Sequence, residues 1–440
     1  MSVNAAFDVD LAVKKLVNTD NIKEKETIAQ EIQSQAKAHG IFLASIQDVY
    51  MARGKGKGKN FTVPAMNLRS LTYYLARAIF RTAKKLNAGA FIFEIAKSEM
   101  GYTNQPPIEY SSVILAAAIK EGYTGPVFVQ ADHCQIKATA YFENKAKEVA
   151  GLKDMIADCV AAGFYNIDVD SSTTVVLERP TLEEQQRDNF EVCADISKFI
   201  REVQPKGIEI SIGGEIGEVG HKNSTVEELS AFMDGYNKSL PKGFHGLSKL
   251  SVQTGTSHGG VVLPDGTIAN VKVDFDTLKA LSAAGQQKYG LGGAVQHGAS
   301  TLPDEAFHKF PEINTIEIHL ATNFQNKTLD SKLFPKDLYA KMVEWSKVNC
   351  ASERKAKDSD EQFIYKARKR ALGQFKKEIY GMPENIKEGI AAEIEKSFEY
   401  LFKQLNVTDT KEFVVSNIKP VEAKIGLRHA QAHLDGEGDD

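Results

Sequence analysis

Residues 126–134 read PVFVQADHC, an apolar run that ends in Asp132 and His133. Four more short apolar runs end the same way: FYNIDVDSS (164–172) at Asp170, IEISIGGEIG (208–217) at Glu215, LSVQTGTSHGG (250–260) at His258 and GGAVQHGAS (292–300) at His297. A buried apolar strand ending in a polar side chain is how a barrel enzyme presents chemistry at its mouth. Five in succession, three of them histidine, predict a metal site assembled from separate strands.

These five runs belong to a longer alternation. Strands are expected at 61–67, 90–96, 126–132, 164–170, 207–215, 247–255, 291–298 and 313–320, with amphipathic helical stretches between most of them. The strand segments are mostly continuous in apolar character, the pattern of a parallel sheet buried on both faces. Eight such units in about 270 residues predict a (β/α)8 TIM barrel over 61–329. A doubly wound open sheet is the alternative. It would carry a glycine-rich dinucleotide loop after its first strand, and FTVPAMNLRS (61–70) has none.

Outside the barrel the reading is helical. Residues 1–50 read as two helices; in NTDNIKEKETIAQ, Asn18, Thr19 or Asp20 is a possible cap, and Gly40 is a suitable stop. MARGKGKGKN (51–60) is too rich in Gly and Lys for an element and marks a loop, read either as a solvated loop or as a mobile phosphate-gathering arm. Residues 1–60 thus form an N-terminal helical extension with a basic loop. Residues 330–440 form a C-terminal helical extension, with KDLYAKMVEWSKVNC and PENIKEGIAAEIEKSFEYLFKQLN its clearest helices and a polar, frayed last twenty residues.

Composition narrows the function. A net charge of −4 argues against nucleic acid as a partner, and 42% hydrophobic with 25% charged residues is ordinary for a globular enzyme. No apolar run approaches the ~18 residues of a membrane helix, and the N-terminus lacks a signal-peptide layout. Four cysteines without CxxC suit a reducing cytoplasm. Cys159 and Cys193 fall in helical patterns; Cys134 is read as core rather than ligand, because successive strand residues point to opposite faces.

Strand ends of a barrel converge, so His133, His258 and His297 would meet at one mouth, with Asp170 and Glu215 beside them. Three imidazoles with open positions are the make-up of a catalytic zinc site; cobalt, nickel or another divalent ion would suit the same donors. Asp132 either orients a ligand or acts as a general acid/base. HGAST (297–301), followed by PDEAF (303–307), is read as an anion-holding strand-to-helix turn in which backbone N–H groups, Ser300 and a helix N-terminus grip phosphate.

The chain resembles the class II, metal-dependent ketose-bisphosphate aldolases. The resemblance rests on VPAMN (63–67), QADHC (130–134), IDVDSS (167–172), GGEIGEVG (213–220), TGTSHGG (254–260), HGASTLPDE (297–305) and IEIHLATN (316–323), spanning about 260 residues. It implies zinc on His133, His258 and His297, with Glu215 a ligand or close neighbour of the metal and Asp170, or Asp168 in the alternative register, beside it. It implies that Asp132 shuttles the proton on the substrate's C4 oxygen. It implies that Asn67 lines the mouth, that Gly259, Gly298 and Ser300 hold the phosphate of dihydroxyacetone phosphate, and that Thr322 lies near it. The implied reaction is reversible cleavage of a sugar phosphate, fructose 1,6-bisphosphate first, to dihydroxyacetone phosphate and glyceraldehyde 3-phosphate. The implied state is a homo-oligomer, dimer or tetramer.

Several positions depart from that family. Val262 stands near the place of a phosphate-gripping lysine, and His319 stands where the last strand presents an asparagine to the substrate, so His319 takes the catalytic position there. The loop EVGHKNSTVEE leaves Glu218, Glu227 or Glu228 to exchange the enediolate proton. Phosphate recognition is accordingly expected to be rearranged, through Lys97, His221, Lys222 or the 51–60 segment. Rival readings are an aldolase for tagatose 1,6-bisphosphate or another ketose phosphate, a catalytically silent barrel that binds a partner enzyme, a metal-dependent barrel hydrolase, and a Schiff-base enzyme using Lys97.

Overall fold

The computed structural model describes residues 7–58, 60–217, 222–255, 263 and 272–428. Nine strands are present among them: β1 Ile41–Ala44, β2 Val63–Asn67, β3 Ile92–Ala96, β4 Gly125–Gln135, β5 Asn166–Asp170, β6 Ser211–Glu215, β7 Lys249–Val252, β8 Ala294–Gln296 and β9 Glu317–Leu320. Strands β2 to β9 pair in parallel in chain order, and β2 pairs with β9, so the sheet closes into an eight-stranded barrel with helices between the strands. This is the (β/α)8 TIM barrel expected from the alternation.

Both faces of the strands are covered. All residues of β2, β3, β5 and β9 are buried, which is why those segments carry no polar–apolar alternation. The helix Thr72–Lys85 shows how the outer ring attaches. Leu75, Ala78, Ile79, Phe80 and Ala83 are buried along it, a three-and-four spacing that puts them on one face. Phe80 packs between Phe93 of β3 and Tyr123, at 5.1 and 4.8 Å between ring centroids. Full burial of such a side chain contributes roughly 1.5–3 kcal/mol.

The N-terminal segment departs from two helices and a loop. Helices Val9–Asn18 and Ile22–Ala38 are followed by β1 and by a third helix, Gln47–Gly54. Asn21, rather than the three preceding candidates, caps the second helix by accepting from the N–H groups of Lys23 and Glu24. Gly40 stops it in the left-handed region at φ 70°, as its lack of a Cβ permits. Strand β1 pairs with the first part of β4, Ile41 opposite Gly125 through Ala44 opposite Phe128, while β5 begins its pairing at Gln130. Each strand therefore uses a different length of the same β4 edge. Asn166 of β5 joins them: its Nδ2 donates to Ala44 and Val129 carbonyls at 3.3 and 2.9 Å, and its Oδ1 accepts from Ile46 N at 2.9 Å.

The following helix explains why 51–60 is not an arm at the mouth. Gly54 lies against the Leu291 carbonyl, ahead of β8, and Gly58 against the Phe413 ring. Arg53 is buried and donates to Asn314, ahead of β9, at 2.7 Å. This end of the barrel is opposite the carboxyl ends of the strands.

The C-terminal helices dock on the barrel. Glu109 in the helix Pro107–Lys120 is buried between Lys25 (2.6 Å) and Lys376 (2.5 Å), which joins N-terminal helix, barrel and C-terminal helix in one ion cluster. Of the residues expected to fray, those at 421–428 return to the barrel side: Gly426 N donates to Ala161 O at 3.0 Å and Leu427 N to Glu26 at 2.8 Å. Residues from 429 onward lie outside the described ones.

Candidate active site

Strand β4 sets the geometry of the site. Its pairing with β5 shifts register between Ala131 and Cys134, and His133 has φ 41°. A bulge of this kind re-aims side chains that strict alternation would separate. Asp132 and His133 consequently both face the barrel mouth, while Cys134 turns into the core, fully buried, with its thiol pushed well up by burial. A left-handed conformation at a histidine is sparsely populated and persists where surrounding structure enforces it.

Around His133 gather groups from four other strand ends. Its Nδ1 lies 3.3 Å from Asp170 Oδ2 at the end of β5 and 3.7 Å from Glu215 Oε2 at the end of β6. Its ring centroid is 4.3 Å from that of His297, just beyond β8, and 6.5 Å from that of His319 in β9. Glu215 Oε2 is also 3.8 Å from His297 Nδ1, so one carboxylate oxygen faces both imidazoles. His297 Nε2 is 3.0 Å from the Ser251 hydroxyl of β7. Asp170 is steadied by the Ser172 hydroxyl at 2.6 Å and by Gln135 Nε2 at 2.7 Å.

The electrostatics follow from burial of several like charges. Burial first, and Asp170 second, push Glu215 up to about 8. Burial works to lower the basicity of His133, but Asp132, Asp170 and Glu215 outweigh it and raise the ring well above its ordinary value. Three carboxyl groups, Asp132, Asp170 and Glu215, crowd around His133, and a bound cation would complement them. Two overlapping sets bring three ligand atoms within 4.8 Å of one another: Asp132, His133 and His297, and His133, Asp170 and Glu215. The imidazole and carboxylate donors fit a divalent metal.

The other expected positions fall as follows. His258 and Gly259 lie outside the described residues, as do Glu218, His221 and Val262. Asn67 ends β2, buried, and donates to Glu99, which also binds Arg69. Gly298 is left-handed at φ 66°. The segment after it forms two single 3-10 turns, Ala299–Thr301 and Asp304–Ala306, and not the α-helix whose N-terminus was expected to bind anion. Ser300 Oγ instead accepts from Ala321 N at 2.6 Å, which ties the turn to the end of β9 beside Thr322. Glu228 is a structural cap: its carboxylate accepts from Thr225 N at 2.8 Å and pairs with Lys222 at 3.0 Å. Lys97 opens the helix Lys97–Tyr102, half-buried.

Sequence reasoning missed one whole layer beneath the mouth. Lys249 of β7 is buried and donates to Gln130 of β4 at 2.7 Å, Asp168 of β5 at 2.9 Å and Glu317 of β9 at 2.5 Å. Tyr50, rising from the helix beneath the barrel, donates to Glu317. Burial raises Asp168 to about 6, partly offset by Lys249. Burial also opposes ionisation of Glu317, yet Lys249 and His319 hold it down to about 2. A signal was available: Gln130, Asp168 and Glu317 each stand two residues before a strand-end polar residue, on the same face.

A parallel eight-stranded barrel whose carboxyl strand ends gather histidines and carboxylates defines the class: a barrel protein with side chains able to hold a metal ion at its mouth. The family model for fructose-bisphosphate aldolase class-II matches residues 52–390, and the chain belongs to that family. No curated protein sequence matches the chain. Among solved structures, a probable tagatose 6 phosphate kinase from Sinorhizobium meliloti 1021 aligns at TM-score 0.54 and 13% identity, covering 80% of this chain and 99% of that one. The fructuronate-tagaturonate epimerase UxaE from Cohnella laeviribosi aligns at TM-score 0.52 and 12% identity, covering 90% and 86%. The YdjI aldolase from Escherichia coli K12 aligns at TM-score 0.45 and 16% identity, covering 78% and 99%. At these identities the likeness concerns the fold.

Proposed function

We propose that this protein is a metal-dependent aldolase that reversibly cleaves a phosphorylated ketose, fructose 1,6-bisphosphate foremost, to dihydroxyacetone phosphate and glyceraldehyde 3-phosphate. The observation that carries the reading is the meeting of His133, Asp170, Glu215 and His297 at the carboxyl ends of β4, β5, β6 and β8 in a chain of the class II aldolase family. His133 and His297, with Glu215 and His258, would hold zinc or another divalent ion such as cobalt. When bound, such an ion acts as a Lewis acid toward the ketose carbonyl and adjacent hydroxyl and stabilises the enediolate.

The chain's own groups supply the rest. Asp132, at the same strand end as His133, takes the proton from the C4 hydroxyl as the C3–C4 bond breaks, and returns it in the condensation direction. His319 Nδ1, 3.0 Å from Asp132 Oδ1, orients that carboxylate. Asn67 lines the mouth, and Gly298, Ser300 and Thr322 form the neighbouring phosphate end, with Gly259 assigned there by resemblance. The same reading makes the protein a cytoplasmic homo-oligomer. No helix among the described residues is long and apolar enough to cross a membrane.

A kinetic panel of fructose 1,6-bisphosphate, tagatose 1,6-bisphosphate and ketose monophosphates, run on metal-loaded protein, tests the reading. Cleavage of one of them, lost in His297→Ala, is the expected result. Absence of turnover with every sugar phosphate would favour a barrel that binds a partner enzyme without catalysis.

A further inference from the structure

Below the mouth, a different set of ligand atoms converges. Glu94, Asp132 and His319 are all buried, and each offers one atom within 4.8 Å of the others. His319 Nδ1 lies 3.0 Å from Asp132 Oδ1 and 3.1 Å from Glu94 Oε2. The other nitrogen, Nε2, lies 2.7 Å from Glu317 Oε1. Glu317 is itself fixed by Lys249 at 2.5 Å, by Gln130 Nε2 at 2.9 Å and by the Tyr50 hydroxyl. A carboxylate that fixes one imidazole nitrogen so that the other can bind a metal is the usual support of a histidine ligand.

Two further observations point to a cation here. His319 Nδ1 faces two carboxylate oxygens at once, Asp132 Oδ1 and Glu94 Oε2, more acceptors than the single proton of one ring nitrogen can fully satisfy. Glu94 is fully buried, and its Oε1 has no hydrogen-bond partner, although Gln130 Nε2 donates to Oε2 at 3.1 Å. Such an orphaned buried oxygen is uncommon in folded proteins and calls for an explanation. The layer holds four carboxyl groups, Glu94, Asp132, Asp168 and Glu317, against one ammonium, Lys249, and one imidazole, His319. Buried charges are normally paired or bound to metal.

We propose that Glu94, Asp132 and His319 form a second divalent-cation site, deeper than the set built on His133, His297 and Glu215 and joined to it through Asp132. Two carboxylates and one imidazole suit manganese among common ions. A carboxylate common to both sets makes this a paired-metal centre, with two ions a few ångströms apart. The inference rests on side-chain geometry and stands whether or not the aldolase reading holds.

The test is manganese stoichiometry on the full chain, stripped with EDTA, reloaded with Mn2+, freed of excess and measured by elemental analysis. Two ions per chain are expected in the parent, one in Glu94→Gln and one in His297→Ala. Electron paramagnetic resonance of the doubly loaded parent, which needs no variant to fold, is expected to show exchange coupling between neighbouring ions. One ion or none in the parent at saturation, two ions retained in Glu94→Gln, or two ions without coupling would each overturn the proposal. Loss of aldolase activity in a protein that still binds two coupled ions would count against the catalytic reading alone.

Discussion

Replacing Lys249 with methionine probes the layer under the mouth. The side chain is 1% exposed, and its ammonium sits 2.8 Å from Asp168 and 2.5 Å from Glu317. Methionine keeps most of the volume and removes the charge, so two buried carboxylates lose their shared partner. Breaking a buried ion pair by removing one member costs about 3–5 kcal/mol. Unfolding entropy of about 2.1 cal/mol/K per residue over 440 residues is about 0.9 kcal/mol/K, so the cost corresponds to a Tm lower by roughly 3–5 °C. Differential scanning fluorimetry in EDTA at pH 7 measures it. The pH dependence adds a second check. With Lys249 present, Glu317 is held down to about 2, so its stabilising contribution is present above the usual carboxylate range and lost only as pH falls toward 2. In Lys249→Met, Glu317 is raised instead and Asp168, already at about 6, is raised further, and a raised acid favours the folded state as pH falls. The gap between variant and parent is therefore expected to narrow from pH 7 to pH 5. A Tm within 1 °C of the parent at pH 7, or a gap that widens on acidification, would refute the argument. Lys249→Met combined with Glu317→Gln should recover part of the loss, because one unpaired charge is gone.

Other consequences are open to direct measurement. If a metal binds the mouth and is present at ~1,000 times its Kd, it adds about 4 kcal/mol, so EDTA should lower Tm by about 4 °C, restored by zinc; an unchanged Tm would argue against metal binding by the folded state. Asn166→Ala strands the groups that stitch β1 to β4 and β5, at a cost of about 1–3 kcal/mol by urea denaturation; amide exchange should rise at Ile46. Cys134→Ala should leave metal content unchanged, since the thiol is turned into the core; a loss of bound zinc would return Cys134 to the ligand set.

How much of this could be read from the sequence depends on how far each feature is local. The eight barrel strands were legible because parallel strands covered on both faces are continuous apolar runs, and the polar residues that end them mark the mouth. Thus Asp132, His133, Asp170, Glu215 and His297 could be placed before any coordinates were known. Strand β1 was not legible: IFLA is four residues long and is made by pairing with a segment more than eighty residues away. The bulge in β4 was also hidden, since alternation alone cannot reveal that Asp132 and His133 face one way. The deeper layer went unassembled for another reason, with Asp168 named only as the alternative register to Asp170, and with Glu94, Lys249 and Glu317 not singled out. Each stands within a mostly apolar run on a different strand, and only closure of the barrel brings them together. The 3-10 turns after Gly298 show the reverse error: a glycine-rich turn followed by PDE reads as a helix start, but the tie from Ala321 to Ser300 holds it as separate turns.

The central claim is metal-dependent aldol cleavage at the strand-end cluster. The most direct measurement is cleavage of fructose 1,6-bisphosphate, followed by NADH oxidation through glycerol-3-phosphate dehydrogenase, before and after EDTA and again after zinc. The account predicts turnover that EDTA abolishes and zinc restores. Turnover that survives complete metal removal would contradict it, and so would the absence of cleavage in protein shown by elemental analysis to carry metal.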